Sequence, residues 1–229
     1  MDALARVQGP AVDALADTFR QDWALETGET IKPLRPDGGT RPEATAGMAA
    51  VQVLPTGPDA RVEAIEQVVL MALYAARREV VLTTPYFVPS ESLLYALLSA
   101  AARGVGVTLI VPARVDSRLV HFASRAFQAD LLSAGVRVAL FQGGLLHTKS
   151  ITVDGQFSLF GSLNLDPRSL RLDFEITLAV YDTDFTSDLR RLQQHYIDGS
   201  ALLDLATCRD RSVLERLAED SARLVGPLL

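Results

Sequence analysis

Five polar side chains in the later part of this chain have the types and spacing to handle a phosphate: His147, Lys149, Ser162, Asn164 and Glu175. In an extended segment alternate side chains share a face, so a strand over His147 to Val153 projects His147 and Lys149 from one side and Thr148 and Ser150 from the other. One face then holds an imidazole beside a fixed cation. Ser162 and Asn164, again two apart and just past Gly161, can aim a hydroxyl and an amide at the same point. Opening a phosphodiester means attacking an anion and expelling an alkoxide, which calls for charge neutralisation, a nucleophile and an acid. Imidazole serves as either of the last two. His147 takes one of those roles, Lys149 the non-bridging oxygens, and Ser162 with Asn164 the developing charge, a set that asks for no metal. Glu175 is placed to accept the second ring N–H of His147 and fix its tautomer.

These groups need a sheet to hold them. The periodicity predicts an amphipathic helix opening at Gly9-Pro10, with Val12, Leu15, Phe19 and Trp23 on one face and a stop at Gly28. From Lys32 to Ala50 the chain turns to Pro, Gly, Thr and Ala without an apolar period, which reads as a linker. Strands are expected over Val51–Leu54, Glu79–Thr84, Val105–Val111 and Val136–Phe141. Helices are expected between them over Asp59–Arg78, Ser90–Arg103 and Ser117–Ala134. Single helices between strands argue for crossovers and a largely parallel sheet. Strands over His147–Val153, Phe157–Gly161 and Phe174–Tyr181 follow, the first two joined by the hairpin signal Asp154-Gly155. Helices over Asp184–Tyr196 and Arg211–Arg223 close the chain, the last with Val213, Leu214, Leu217 and Leu224 as its stripe. The expected architecture is an α/β fold, an α-β-α sandwich with helices flanking a mixed, largely parallel sheet, and no internal repeat is visible.

With 229 residues, 48% hydrophobic and 22% charged, the chain has ample apolar material for a core. A net charge of -6 counts against coating a nucleic acid, which needs a basic face. The lone cysteine, Cys208, excludes an internal disulfide, and three scattered histidines form no zinc-type cluster, so no cofactor is expected. The start, Met1-Asp2-Ala3-Leu4-Ala5-Arg6, has an acid where a signal peptide carries positive charge. The longest apolar run, Val68 to Ala76, is about half of the roughly 20 residues that cross a bilayer. A cytoplasmic protein with peripheral membrane contact is the expectation.

The run His147-Thr148-Lys149 to Asp154, followed after six residues by Gly161-Ser162-Leu163-Asn164, resembles the HxKxxxxD and GSxN pattern of the phospholipase D superfamily at every specified position. Leu165-Asp166-Pro167-Arg168-Ser169, Asp173-Phe174-Glu175 and Thr84-Pro85-Tyr86-Phe87-Val88-Pro89 are similar to stretches of bacterial cardiolipin synthases, as is the close from Ala222 to Leu229. The resemblance is to the C-terminal half of such an enzyme, a single half of the usual tandem. It implies a domain plan of 1–31 as the end of a first half, 32–50 as linker and 51–229 as a catalytic half with one motif. It implies a phosphatidyltransferase acting on phosphatidylglycerol through a phosphohistidine, peripheral at the bacterial inner membrane. The catalytic set it implies is His147, Lys149, Asp154 and Glu175, with Lys149, Ser162 and Asn164 on the phosphate. Read by position instead, Asp154 sits at the hairpin tip and satisfies turn backbone groups. The alternatives are hydrolysis with water as acceptor, or a lipid-phosphate-binding remnant.

Because the family uses two histidine motifs per site and His121 and His195 have no lysine two residues on, completion by a homodimer or by a second motif-bearing half is expected. Both of those histidines read as ordinary surface or core residues. Arg114, Arg118 and Arg125 read as a solvated helix side or as a basic face for headgroups. Tyr86 and Phe87 read as core or as a loop bordering the site. Asp166 and Arg168 read as a local ion pair, with Arg168 on a lipid phosphate as the other reading. The Leu15, Phe19 and Trp23 stripe reads as core or interface packing, or as a membrane rest.

Overall fold

The computed structural model describes residues 1–32, 47–57, 64–115 and 117–225. In chain order it runs α1 (Ala11–Thr27), β1 (Ala50–Thr56), α2 (Ala64–Ala75), β2 (Glu79–Thr83), α3 (Glu91–Ala102), β3 (Gly106–Pro112), α4 (Arg118–Ala126), α5 (Gln128–Ser133) and β4 (Arg137–Phe141). It continues β5 (Lys149–Val153), β6 (Phe157–Gly161), α6 (Pro167–Arg171), β7 (Glu175–Tyr181), α7 (Thr183–Asp198), β8 (Ser200–Leu202), α8 (Leu205–Arg209) and α9 (Val213–Val225). Most of the expected linker, residues 33–46, and the start of the expected 59–78 helix lie outside the described residues, as do residues 226–229.

The eight strands form one sheet in the order β1-β7-β6-β5-β2-β3-β4-β8. Its inner strands are apolar on both faces, because helices cover both. Val80 and Leu82 face one way, into a core with Leu109, Val138, Ile151 and the α2 and α3 residues Leu73, Leu93 and Leu97. Val81, one residue out of phase, faces the other way with Ile110, Ala139, Phe141 and Leu146 against Tyr196 of α7. The α-β-α sandwich is thus present.

The largely parallel sheet is not. Only β2–β3 and β3–β4 pair in parallel; β5 pairs antiparallel with β2, and β5, β6 and β7 follow as an antiparallel series with β1 outside them. The helical crossovers that suggested parallel strands serve only β2 to β4. After Phe141 the chain passes β3 and β2 to set β5 antiparallel beside β2, β6 and β7 follow as antiparallel neighbours, and α7 carries the chain across the sheet to β8, antiparallel beside β4.

Three further differences are local. The helix expected over 117–134 breaks at Phe127 into α4 and α5. The strand expected from His147 begins at Lys149, leaving the imidazole on the segment leading into it. In α9 two leucines of the expected stripe are turned outward, Leu214 at 79% and Leu217 at 57% exposed, while Glu219 and Ala222 are buried; the Val213 and Leu224 side chains lie outside the described residues. The α9 helix is held instead by Glu219, which pairs with Arg211 at 3.1 Å and Arg125 at 2.9 Å.

Candidate active site

The register brings the candidate residues to one edge of the sheet. Thr83 pairs with Ser150, Lys149 with Gly161 and Gly161 with Thr177, so the end of β2, the start of β5, the end of β6 and the start of β7 lie in one row. Gly161 is required there: a Cβ would sit 2.0 Å from the Ile176 carbonyl oxygen. That close approach lets Ser162 N–H donate to Ile176 O at 2.9 Å.

His147 and Lys149 meet as their spacing suggests. Lys149 Nζ lies 2.9 Å from His147 Nδ1 and 3.0 Å from Nε2. Lys149 is 9% exposed, whereas the His147 side chain is 45% exposed, so an open imidazole stands on a buried ammonium. Burial lowers the Lys149 pKa, and the charges of Asp2, Glu175 and Asp166 oppose that fall. From the opposite face, Thr148 Oγ1 lies 3.0 Å from the Tyr196 hydroxyl, and Gln193 Nε2 donates to Ser150 Oγ at 3.1 Å. Both are α7 residues, and they fix β5 from behind.

The remaining polar groups form a chain beside this pair. Asn164 Nδ2 donates to Ser169 Oγ at 3.2 Å, and Ser169 Oγ donates to Glu175 Oε1 at 3.0 Å. Asp166 caps α6 by accepting from Ser169 N–H at 2.9 Å, and burial raises its pKa against that hydrogen bond. Asn164 Oδ1 is buried without a hydrogen-bond partner. Ser162 Oγ accepts from Ile176 N–H at 3.0 Å, which ties its hydroxyl to β7. Glu175 therefore engages Ser169, and the carboxylate that approaches the His147 ring is Asp2, with Oδ2 3.5 Å from Nδ1. His147 N–H donates to Met1 O at 2.7 Å, and the Met1 amine donates to Leu145 O. An anionic group thus lies against the imidazole.

Asp154 stands beyond the other end of β5, with φ 54. Its Oδ2 accepts from Arg77 N–H at 2.9 Å, and Oδ1 from Arg78 and Glu79 N–H at 2.8 and 2.9 Å. Partial burial opposes ionisation, but these three hydrogen bonds prevail and hold its carboxyl below the usual range. Asp154 clamps the hairpin to the α2–β2 loop and is away from the imidazole.

The other candidates separate. Phe87 is 1% exposed and bridges to Leu165, so it is core. Arg168 pairs with Asp173 at 2.9 Å rather than with Asp166. Arg125 is engaged by Glu215 and Glu219, which removes it from a free basic face; Arg114 is exposed, and the Arg118 side chain is outside the described residues. His121 borders a separate cavity of about 560 Å³ beside Pro85, and burial lowers its pKa. Four contributors were not assigned a role from sequence: Asp2, Thr84, Ser169 and Tyr196. Asp166-Pro167 is a helix-start signal that could have pointed to Ser169. Thr84 Oγ1 accepts from Leu165 N–H at 3.3 Å, a tertiary contact with no local signal.

A family model described as "Cardiolipin synthase, PLD-like domain" matches residues 69–196. Cardiolipin synthase A of Yersinia pseudotuberculosis is 47% identical over 229 residues, all of this chain and 47% of the relative. The chain thus spans about half the length of the curated relatives it matches. Among solved structures, phosphatidylserine synthase of Haemophilus influenzae superposes with a TM-score of 0.63 at 19% identity, covering 93% of this chain and 53% of that one. Nuc of Salmonella typhimurium, a phospholipase D family member, gives a TM-score of 0.59 at 18% identity, covering 68% and 98%.

Proposed function

The chain belongs to the cardiolipin synthase family of phospholipase D-like domains, and from that premise we propose that it supplies one histidine half of a phosphatidyltransferase site. The observation that carries this reading is the buried Lys149 ammonium at 2.9 and 3.0 Å from the ring nitrogens of the open His147. Lys149 binds a non-bridging phosphate oxygen as a point charge, and its burial strengthens that attraction.

In the reaction proposed, a ring nitrogen of His147 attacks the phosphorus of phosphatidylglycerol and an N–P bond forms. The P–O bond to glycerol breaks, and the departing oxygen takes a proton from a second imidazole in a second motif-bearing half. A hydroxyl of another phosphatidylglycerol then gives its proton back to that imidazole and displaces His147, leaving cardiolipin and glycerol. Asn164, held by Ser169 and through it by Glu175, steadies the developing charge. The Lys149 side of the site can serve either step.

A diacyl lipid substrate is supported by a groove of about 630 Å³ lined by Val88, Leu94, Tyr95, Leu98 and Leu172, which Glu91, Asp130, Arg171 and Arg223 also line, with Arg171 paired to Glu66 at 3.4 Å and Arg223 to Asp130 at 3.8 Å. Such a groove offers apolar surface to acyl chains. No helix among the described residues is long and apolar enough to cross a membrane, and contact with the inner membrane is proposed as peripheral.

The test is to supply the chain, with a second motif-bearing half, with phosphatidylglycerol vesicles and to measure cardiolipin and phosphatidic acid. Cardiolipin is expected from the native chain, with a loss of at least about 10³-fold in His147→Ala. Phosphatidic acid as the sole product would make it a hydrolase. Equal product from both proteins would remove His147 from the chemistry.

A further inference from the structure

We infer that the outer face of α2 and α3 is the surface this protein lays on an anionic lipid bilayer. The inference rests on the phosphatidyltransferase reading above and deepens it by naming the face through which the lipid substrate arrives.

Charge is unevenly spread over these two helices. Along α2 the exposed stripe reads Ala64, Gln67, Met71 and Tyr74, spaced three and four apart, and along α3 it includes Ser92, Tyr95 and Ala102. Met71 is 69%, Tyr74 53% and Tyr95 57% exposed. The one charged residue of α2, Glu66, is buried and pairs with Arg171 at 3.4 Å. The one charged residue of α3, Glu91, stands at its first position. Everything between Glu91 and the α3 cap Arg103 is uncharged, in a chain where 22% of residues carry charge. A helical layer facing water turns polar side chains outward; this one presents a thioether and two phenols, and tyrosine suits a boundary with one apolar and one wet side.

The two helices end at one corner, and that corner is cationic. Arg103 reaches across to donate to the Leu73 carbonyl of α2 at 2.9 Å, and Arg78 donates to the Asp154 carbonyl at 2.6 Å. The Arg77 side chain is exposed and meets no carboxylate among the described residues. The carboxylate of Asp154 is taken by three backbone N–H groups, and that of Glu79 by Arg190 of α7 on the other side of the sheet.

This composition selects the occupant. With a net charge of -6 the chain as a whole is repelled by an anionic leaflet, so it approaches best through a face that adds no free carboxylate and brings cations. The arginine corner meets headgroups, while Met71, Tyr74 and Tyr95 enter the boundary between headgroups and acyl chains. Tyr95 and Leu98 also line the groove that extends to Pro167 and Arg171 of α6. A bilayer seated here therefore opens onto the groove, and through it onto the helix whose Ser169 holds Asn164. A second copy of this chain on the same face would close that groove against its substrate.

The probe is vesicles of phosphatidylglycerol and phosphatidylcholine in equal parts, floated with the full chain. The native chain is expected to float with them, and less so as salt is raised. Met71→Glu and Arg77→Glu should each weaken flotation by at least about tenfold while leaving the melting temperature unchanged, because both side chains are exposed. Leu217→Glu, at an exposed leucine of α9 outside this face, should float as the native chain does. In a Trp23→Phe background, Tyr95→Trp reports depth, and phosphatidylglycerol brominated on its acyl chains should quench the indole. Failure of the native chain to float, indifference to Met71→Glu, an unquenched Tyr95→Trp chain, or a dimer that covers this face in place of vesicles would each overturn the inference. Turnover separates it from the reading it rests on. Dicaproyl phosphatidylglycerol dispersed as monomers needs no bilayer, so Met71→Glu, with the second motif-bearing half in excess, should make cardiolipin from it at the native rate and lose turnover on vesicles. Vesicle binding through this face without cardiolipin from either substrate would sink the transferase reading and leave the surface standing; cardiolipin from vesicles at the native rate in Met71→Glu would do the reverse.

Discussion

Lys149 pits stability against function. Its pKa is held below the ordinary 10.5 chiefly by burial. The unfolded chain therefore binds more protons than the folded one between the lowered value and 10.5, so the penalty is present at neutral pH and fades as pH rises through that window. Lys149→Met is expected to abolish vanadate binding measured by calorimetry, while its melting temperature at pH 7 equals or exceeds that of the native chain. A fall of several degrees would show that the ammonium stabilises the fold after all. Asp154 is the opposite case. Its lowered carboxyl pKa contributes stability above the unfolded value of 3.8, lost as pH falls through the folded one. Asp154→Ala leaves three backbone donors without their acceptor and should cost about 2 kcal/mol, or about 4–8 °C in melting temperature, with a smaller deficit near pH 3. Thermal melts at pH 7 and pH 3 check both figures. These residues were legible to different degrees. The meeting of His147 with Lys149 follows from a spacing of two, and the structural reading of Asp154 from its place at a turn. Asp2 against His147 is a contact across 145 positions of sequence, and no local pattern encodes it.

At the scale of elements, the sheet edge depends on the close approach of β6 to β7. Gly161→Ala would put a methyl 2.0 Å from the Ile176 oxygen, forcing those strands apart just where Ser162 and Asn164 leave the sheet. The expected result is a loss of about 1–3 kcal/mol together with weakened vanadate binding, read from denaturant melts and titration of one preparation. A variant of native stability and affinity would show that β7 yields without disturbing the site. Element existence was largely legible, because caps such as Ser90, whose hydroxyl accepts from Leu93 N–H at 3.1 Å, and stops such as Gly28 leave local marks. Strand direction was not. The chain re-enters at β5 beside β2 rather than beside β4, a placement that no local signal encodes, and helices between the early strands masked it. Leu214 and Leu217 of α9 misled in a similar way: an ion-paired Glu219 with Arg125 and Arg211 faces inward where apolar periodicity pointed to these leucines.

For the whole molecule, the proposed reaction calls for a second imidazole, and two assemblies would supply one. In a homodimer joined across the active edge, each site needs both copies of His147, so a dimer with one His147→Ala chain is inactive. Activity then follows the square of the native fraction, and an equal mixture retains about a quarter. In a site completed by a different half, every native chain works independently of its neighbours, and the same mixture retains about half. The length of the curated relatives, of which this chain spans 47%, favours the latter. We expect linear dilution when native and His147→Ala chains are mixed, held at fixed total concentration, and assayed for cardiolipin with the partner half in excess. A quadratic fall would place two His147 residues in one site and reject a partner-completed one. The mixing curve depends on how many copies of this chain build each site and not on absolute rate, so it discriminates even where turnover is slow.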